Sequence, residues 1–206
     1  MHGCAPLPAS PRTASKESYA TRVFGEPANT PRTACVTTGP ELCFNALDDN
    51  CNGLLEEGCG LGSGPIHVVV AWTDPSADLD LALDTPGGER VFDGNRLSSK
   101  GFHFERDCPG EGCAGQNAEA IYFVSARPPP EEAPSGRPKS ATAAPMHSDA
   151  RPPSGEYVVE VRLSESRGAA LPVRARVGLR VFGRVYAKEL ELSELAEKRS
   201  LPFTLN

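Results

Sequence analysis

The 206-residue chain lacks any apolar run long enough to cross a bilayer as a helix. It also lacks a positive balance. Its 21 Lys and Arg stand against 27 Asp and Glu, for a net charge of −6, so it offers no basic surface to nucleic acid. The Cys-x-x-Cys pairs of zinc ribbons and thioredoxin-like sites are missing. So are Gly-x-Ser-x-Gly, His-Glu-x-x-His and a glycine loop able to cradle phosphate, which removes the common catalytic signatures. With 20 Gly and 20 Pro, the composition favours turns over long helices.

What is present is concentrated in residues 35–60, CVTTGPELCFNALDDNCNGLLEEGCG. Cys35, Cys43, Cys51 and Cys59 recur every eight residues. Glu41, Asp48, Asp49, Glu56 and Glu57 lie between them, with no Lys, Arg or His. This spacing is not that of a zinc knuckle, so the cysteines are expected to form disulfides in an oxidising compartment. Three pairings of the four are open. Cys108 and Cys113 are expected to form a third, short-loop bridge.

Cys4 is left over, in Met-His-Gly-Cys. A small residue before a cysteine suits lipidation, but no apolar h-region precedes it. A lipid anchor there requires a natural start further upstream; the alternative is an incidental tail cysteine. The membrane is expected to be reached only through such an anchor.

Residues 1–34 are rich in Pro, Ser, Thr and Ala and read as a disordered tether. Residues 35–62 form the cysteine and acid module. It is too short for a core of its own, so disulfides, a metal or docking on its neighbour must hold it. From residue 63 the pattern alternates with a period of two. Strands are expected at 66–72, 79–83, 89–93, 102–105, 119–124, 156–163, 173–181, 185–192 and 201–205. Phe182-Gly183-Arg184 is expected to turn a hairpin. Arg174, Arg176 and Arg180 fall on the outward side of their strand and read as a solvated face. Eight prolines crowd residues 126–153, which read as a disordered insertion. The expected fold is all-β: an antiparallel, jelly-roll-like β-sandwich over 63–206, behind a small disulfide-rich acidic module.

Two stretches carry metal chemistry. A calcium loop of the EF-hand type places side-chain oxygens at positions 1, 3 and 5, glycine at 6 and a carbonyl at 7. Counted from Asp48, these are Asp48, Asn50, Asn52, Gly53 and Leu54, with Glu56 at position 9. Position 12, where a bidentate Glu belongs, is Cys59, so Glu56 or Glu57 must supply the late carboxylate. Five carboxylates without a basic partner repel one another unless a cation lies among them. The opposing reading is a solvated acidic loop held by disulfides. The second stretch is Asp78-Leu79-Asp80-Leu81-Ala82-Leu83-Asp84, three carboxylates on one strand face, with Asp74 in the preceding turn. A site at Asp74, Asp78 and Asp80 weighs equally there against a solvated face.

Glu41-x-Cys43, Asn45, Asp48-Asp49-Asn50-Cys51-Asn52-Gly53 and Glu56-Glu57-x-Cys59 resemble the MopE-type metal-binding-motif repeat of secreted bacterial proteins. Ala46 and Glu56 depart from it, where the repeat has Gly and Asp. Copper is not implied, because the segment offers only oxygens once its cysteines are oxidised. Trp72, Asp78, Asp80, Leu81, Pro86, Gly88 and Glu89 resemble the YfaP-like domain and, more loosely, pre-peptidase C-terminal domains. That resemblance implies a sandwich with a divalent ion near Asp78 and Asp80.

The expected protein is therefore non-enzymatic and extracytoplasmic: an outer-membrane lipoprotein, periplasmic or secreted. It would bind calcium and serve adhesion or binding of an envelope or extracellular ligand, protein or polysaccharide. An alternative is an accessory domain or divergent member of an extracellular hydrolase. That requires His67 or His103 beside a carboxylate in a concave pocket, although His67 falls on the polar face of its strand and His147 in the Pro-rich stretch. A third reading is a purely structural, disulfide-stapled surface protein.

Overall fold

The computed structural model describes residues 20–28, 35–110, 113, 116–124 and 151–206. Cys4 and nearly all of the Pro-rich insertion lie outside the described residues. Among the described residues eleven strands build two antiparallel sheets, and the all-β sandwich expected from the alternating pattern is what forms. The strands are β1 (Ala20–Val23), β2 (Glu26–Pro27), β3 (Ile66–Trp72), β4 (Asp78–Asp84), β5 (Arg90–Val91) and β6 (Phe102–Arg106). Then come β7 (Ala118–Phe123), β8 (Gly155–Glu165), β9 (Val173–Val181), β10 (Arg184–Leu192) and β11 (Lys198–Leu205). The first sheet has the order β2-β1-β11-β8-β4-β5; the second has the order β10-β9-β3-β7-β6.

The core lies between the sheets and follows from the period of two. Ile66, Val68, Val70 and Trp72 of β3 face it, as do Leu79, Leu81 and Leu83 of β4 and Tyr157, Val159, Val161 and Leu163 of β8. Trp72 donates its indole N–H to the Ala77 carbonyl at 3.0 Å, closing the turn between β3 and β4. The buried Tyr157 hydroxyl donates to Pro153 O at 2.6 Å, so the polar handle of a core aromatic is satisfied.

The structure departs from the sequence reading of the tether. Residues 20–28 form a hairpin on the first sheet, with β1 paired to β11 and with Ala20 and Val23 buried. The physical cause is the edge of β11, whose backbone groups need partners. The hairpin turns at Phe24-Gly25, both with positive φ (54° and 83°). The same Phe-Gly pair turns β9 into β10, where Phe182 and Gly183 have φ of 47° and 82°. Positive φ at both central residues matches the right-handed strand twist.

Candidate functional site

The module has no helix or strand over residues 35–60. Its backbone amides therefore need acceptors from elsewhere. The disulfides Cys35–Cys51 and Cys43–Cys59 decide the pairing that the sequence left open, and Cys108–Cys113 is the expected third bridge. The carboxylates then take up the amides. Glu56 is fully buried and accepts N–H groups from Asn45 at 2.9 Å and Ala46 at 2.7 Å, and from Phe44. Glu41 accepts from Asp49 N at 3.1 Å and Glu56 N at 2.8 Å. Asp49 accepts from Thr38 Oγ1 at 2.9 Å, Leu42 N at 3.1 Å and Asn45 Nδ2 at 2.8 Å.

These bonds give most of the acids a reason to be there without a cation. They also sort the electrostatics. Burial pushes Glu56 and Glu41 above the usual carboxylate range, against the opposing pull of their backbone donors. Burial works upward on Asp49 as well, but donation from Asn45, Leu42 and Thr38 outweighs it and leaves Asp49 lowered. Glu56 thus faces inward, away from the role of late ligand given to it above.

The remaining oxygens belong to the loop 48–57. Asp48 accepts from Asn52 N at 3.0 Å and Gly53 N at 2.9 Å. Asn50 Oδ1 accepts from Asn52 N at 3.0 Å, and Asn52 Oδ1 from Leu54 N at 2.8 Å. These local bonds wind the loop tightly, with Gly53 at φ 85° supplying the sharp turn. Glu57 Oε1 meets the side-chain amides of both Asn50 and Asn52. Glu57 Oε2 is enclosed without a hydrogen-bond partner. Burial works upward on the Glu57 carboxyl, but the Asn50 amide, its own backbone N–H and the Asn52 amide hold it low. Among the described residues, no group of three His, Cys, Asp or Glu is arranged to hold a metal. Of the four acids in the loop, Asp49 and Glu56 are taken up by backbone amides, which leaves Asp48 and Glu57 beside the side-chain amides of Asn50 and Asn52.

The module is seated on the outer face of the second sheet. There Val69 and Ala71 of β3, with Ala118 and Ala120 of β7, form a shallow apolar dish. Ala46 fills it, and Phe44 and Leu61 pack against it. Gly178 of β9 lies beneath: a Cβ there would stand 2.6 Å from Ala46 O. The arginines read above as a solvated stripe hold the rim. Arg176 Nη1 donates to Asn45 O at 3.0 Å, and Arg180 Nε donates to Gly53 O at 2.7 Å and its Nη1 to Gly64 O. Arg106 stacks over the Phe44 ring at 4.7 Å. Only Arg174 keeps to the solvated role, exposed and paired with Glu191.

No protein-family model, curated protein or solved structure matches the chain.

In the second acidic stretch the structure keeps Asp78 and Asp80 together and sets Asp74 apart. Asp74 caps its own turn, accepting from Ser76 N at 2.9 Å. Asp78 pairs with Arg167 at 2.7 Å, and Asp80 accepts the Ser164 hydroxyl. Asp78 and Asp80 border a cavity of about 620 Å³ that Asp93, Asp107 and Glu119 also line, together with Arg90, Arg162 and Lys198. Asp74 is not among its lining residues. Glu119 is buried and accepts from Leu81 N at 2.7 Å and Cys108 N at 3.2 Å. Burial pushes its carboxyl well above the usual range. Sequence reasoning passed over Glu119; its isolation among apolar neighbours in Ala118-Glu119-Ala120-Ile121 was the signal.

The histidines do not assemble a hydrolytic site around this cavity, since neither His67 nor His103 lines it. His67 is not on a polar face. It is fully buried, because the outer face of β3 is covered by the module. His103 stacks on Tyr122 at 5.5 Å.

Proposed function

We propose that the protein is a non-enzymatic, extracytoplasmic binding protein whose capping module takes calcium in the loop 48–57. The ligands would be Asp48, Asn50, Asn52 and Glu57, with the Leu54 carbonyl. The observation that carries this reading is Glu57 Oε2, an enclosed carboxylate oxygen without a partner. Such an oxygen is costly in a folded protein unless a cation or a water meets it, and a cation also offsets the charge of Asp48 beside it. The donor set fits a hard cation: all oxygens, with two carboxylates and two amides on a tight glycine-bearing turn. It does not fit copper, which prefers imidazole and sulfur. Calcium would supply charge neutralisation and rigidity, and would leave the acids on Glu41, Asp49 and Glu56 to hold the backbone. The disulfides support the oxidising compartment, as does the MopE-type resemblance of the cysteine pattern.

Thermal unfolding of the oxidised protein in chelator, then with calcium restored, tests this. A ligand at a hundred times its Kd adds about 2.7 kcal/mol to the folded state. The midpoint is expected to rise with calcium in the wild type and in Asp80→Ala. Asp48→Ala and Glu57→Gln are expected to abolish the rise. A rise lost only in Asp80→Ala would move the site to the acidic cavity. No rise at millimolar calcium would leave the purely structural reading.

A further inference from the structure

Beneath the module lies a titratable group that the calcium reading does not use. His67 sits on the outer face of β3, alongside Val69 and Ala71, and none of its surface reaches solvent. Neither Nδ1 nor Nε2 has a hydrogen-bond partner. The ring meets Tyr122 of β7 edge-on, with centroids 6.3 Å apart. On its other side stands Arg180 of β9, opposite it in the β3–β9 register, and Arg180 is the charged group whose field reaches it. Arg180 is also one of the two arginines that hold the module rim. Beyond Tyr122, β6 carries His103 stacked on that ring and Glu105, which accepts from Gly62 N at 2.6 Å. On the module side, the carboxylates Glu41, Asp49 and Glu56 are engaged with backbone amides, and Glu57 with the loop amides.

A neutral imidazole without partners costs some stability in such a place; an imidazolium costs far more. It would add a second cation beside a guanidinium, enclosed, with no acceptor for either N–H. The positive charge is relieved only when water reaches the ring, and water reaches it when the module lifts.

We propose that residues 35–62 form an acid-released cap: protonation of His67 beside Arg180 undocks the module from the second sheet and leaves its disulfides intact. Burial and Arg180 together lower His67 from 6.5 to about 4 in the docked state. The sign follows from this. The undocked state binds the proton more tightly, so docking is fully stable above about 6.5 and weakens as pH falls towards 4. The slope approaches tenfold per pH unit, roughly 300-fold over the whole window. The carboxylates do not mimic this. Glu41 and Glu56 are raised by burial, so their protonation favours the docked state as pH falls. Asp49 and Glu57 are lowered, so their contribution is lost only below the ordinary carboxylate range.

Hydrogen exchange of the Gly62 amide, which Glu105 of β6 holds across the contact, corrected for intrinsic rates, reads the opening between pH 7 and 4.5. Wild type is expected to open about tenfold more per pH unit below 6.5, while His67→Phe and His67→Leu show no such rise. NMR titration of the His67 imidazole in the wild type is expected to place its midpoint below the ordinary value, at the pH where the module amides shift. A pH-independent opening in wild type, an equal slope in both variants, or an imidazole titrating at its ordinary value would overturn the proposal. Saturating calcium leaves the His67 slope in place, so loss of the calcium response and loss of the acid response are separate outcomes.

Discussion

Glu56 shows what a carboxylate does where there is no ladder of strands to pair the backbone. Its two oxygens gather three consecutive amides, Phe44 to Ala46, into one turn. A sequence shows the charge but not these donors, which is why an acidic run reads as a cation site or a solvated loop. Glu56→Gln keeps the shape and halves the acceptor capacity. We expect it to cost about 1–3 kcal/mol in urea unfolding, with the loss concentrated in the module. The pH dependence of the parent has a defined sign. Because burial raises Glu56, its stabilising share is full below its ordinary value and declines as pH rises through the raised one. Gly178 makes the matching point for packing. Its missing side chain admits Ala46, and Gly178→Ala puts a carbon against backbone atoms that have no rotamer to yield. We expect a loss of about 1–3 kcal/mol and faster amide exchange in residues 44–46.

At the scale of elements, the strands of both sheets were legible wherever one face is branched and apolar, as in β3, β4, β8 and β9. The period of two marks them with no help from context. The outer dish was not legible, because Ala71, Ala118, Ala120 and Gly178 are too small to announce a buried face. The arginines flanking them looked solvated for the same reason. Strand β1 was missed among Pro- and Thr-rich neighbours, although Val23-Phe24-Gly25-Glu26 repeats the Val181-Phe182-Gly183-Arg184 phrase that identified the later hairpin. Val23 is fully buried and covers the β11 edge. Val23→Asp would place a charge in that contact and strip the edge of its partner. The expected result is a loss of roughly 3 kcal/mol in equilibrium unfolding, with concentration-dependent association in size-exclusion chromatography.

For the whole molecule, the disulfides among the described residues are all local. Cys35–Cys51 and Cys43–Cys59 close loops inside the module, each with a sequence separation of 16, and Cys108–Cys113 closes one of 5. None joins the module to the sandwich. A loop of that length contributes about 3 kcal/mol by restricting the unfolded chain. Replacing Cys43 and Cys59 together by Ser is expected to remove about that much from the module, while the sandwich strands keep their exchange protection. A reductant that left module and sandwich equally unstable would contradict that division.

The register of β1 on β11 has a mechanical side. Ala20 opposes Leu205, and the two strands run in opposite directions, so the start of one lies beside the end of the other. A force pulling residue 20 away from residue 205 therefore loads the hydrogen bonds one after another, as a zip, and not all together in shear. The β1 hairpin gives way first, at low force. The pull then arrives at the module, where the chain between Cys35 and Cys59 is short-circuited by its two bridges. Little length is released there, and the arginine clamps on the rim resist together with the apolar dish under Ala46 and the Arg106–Phe44 stack.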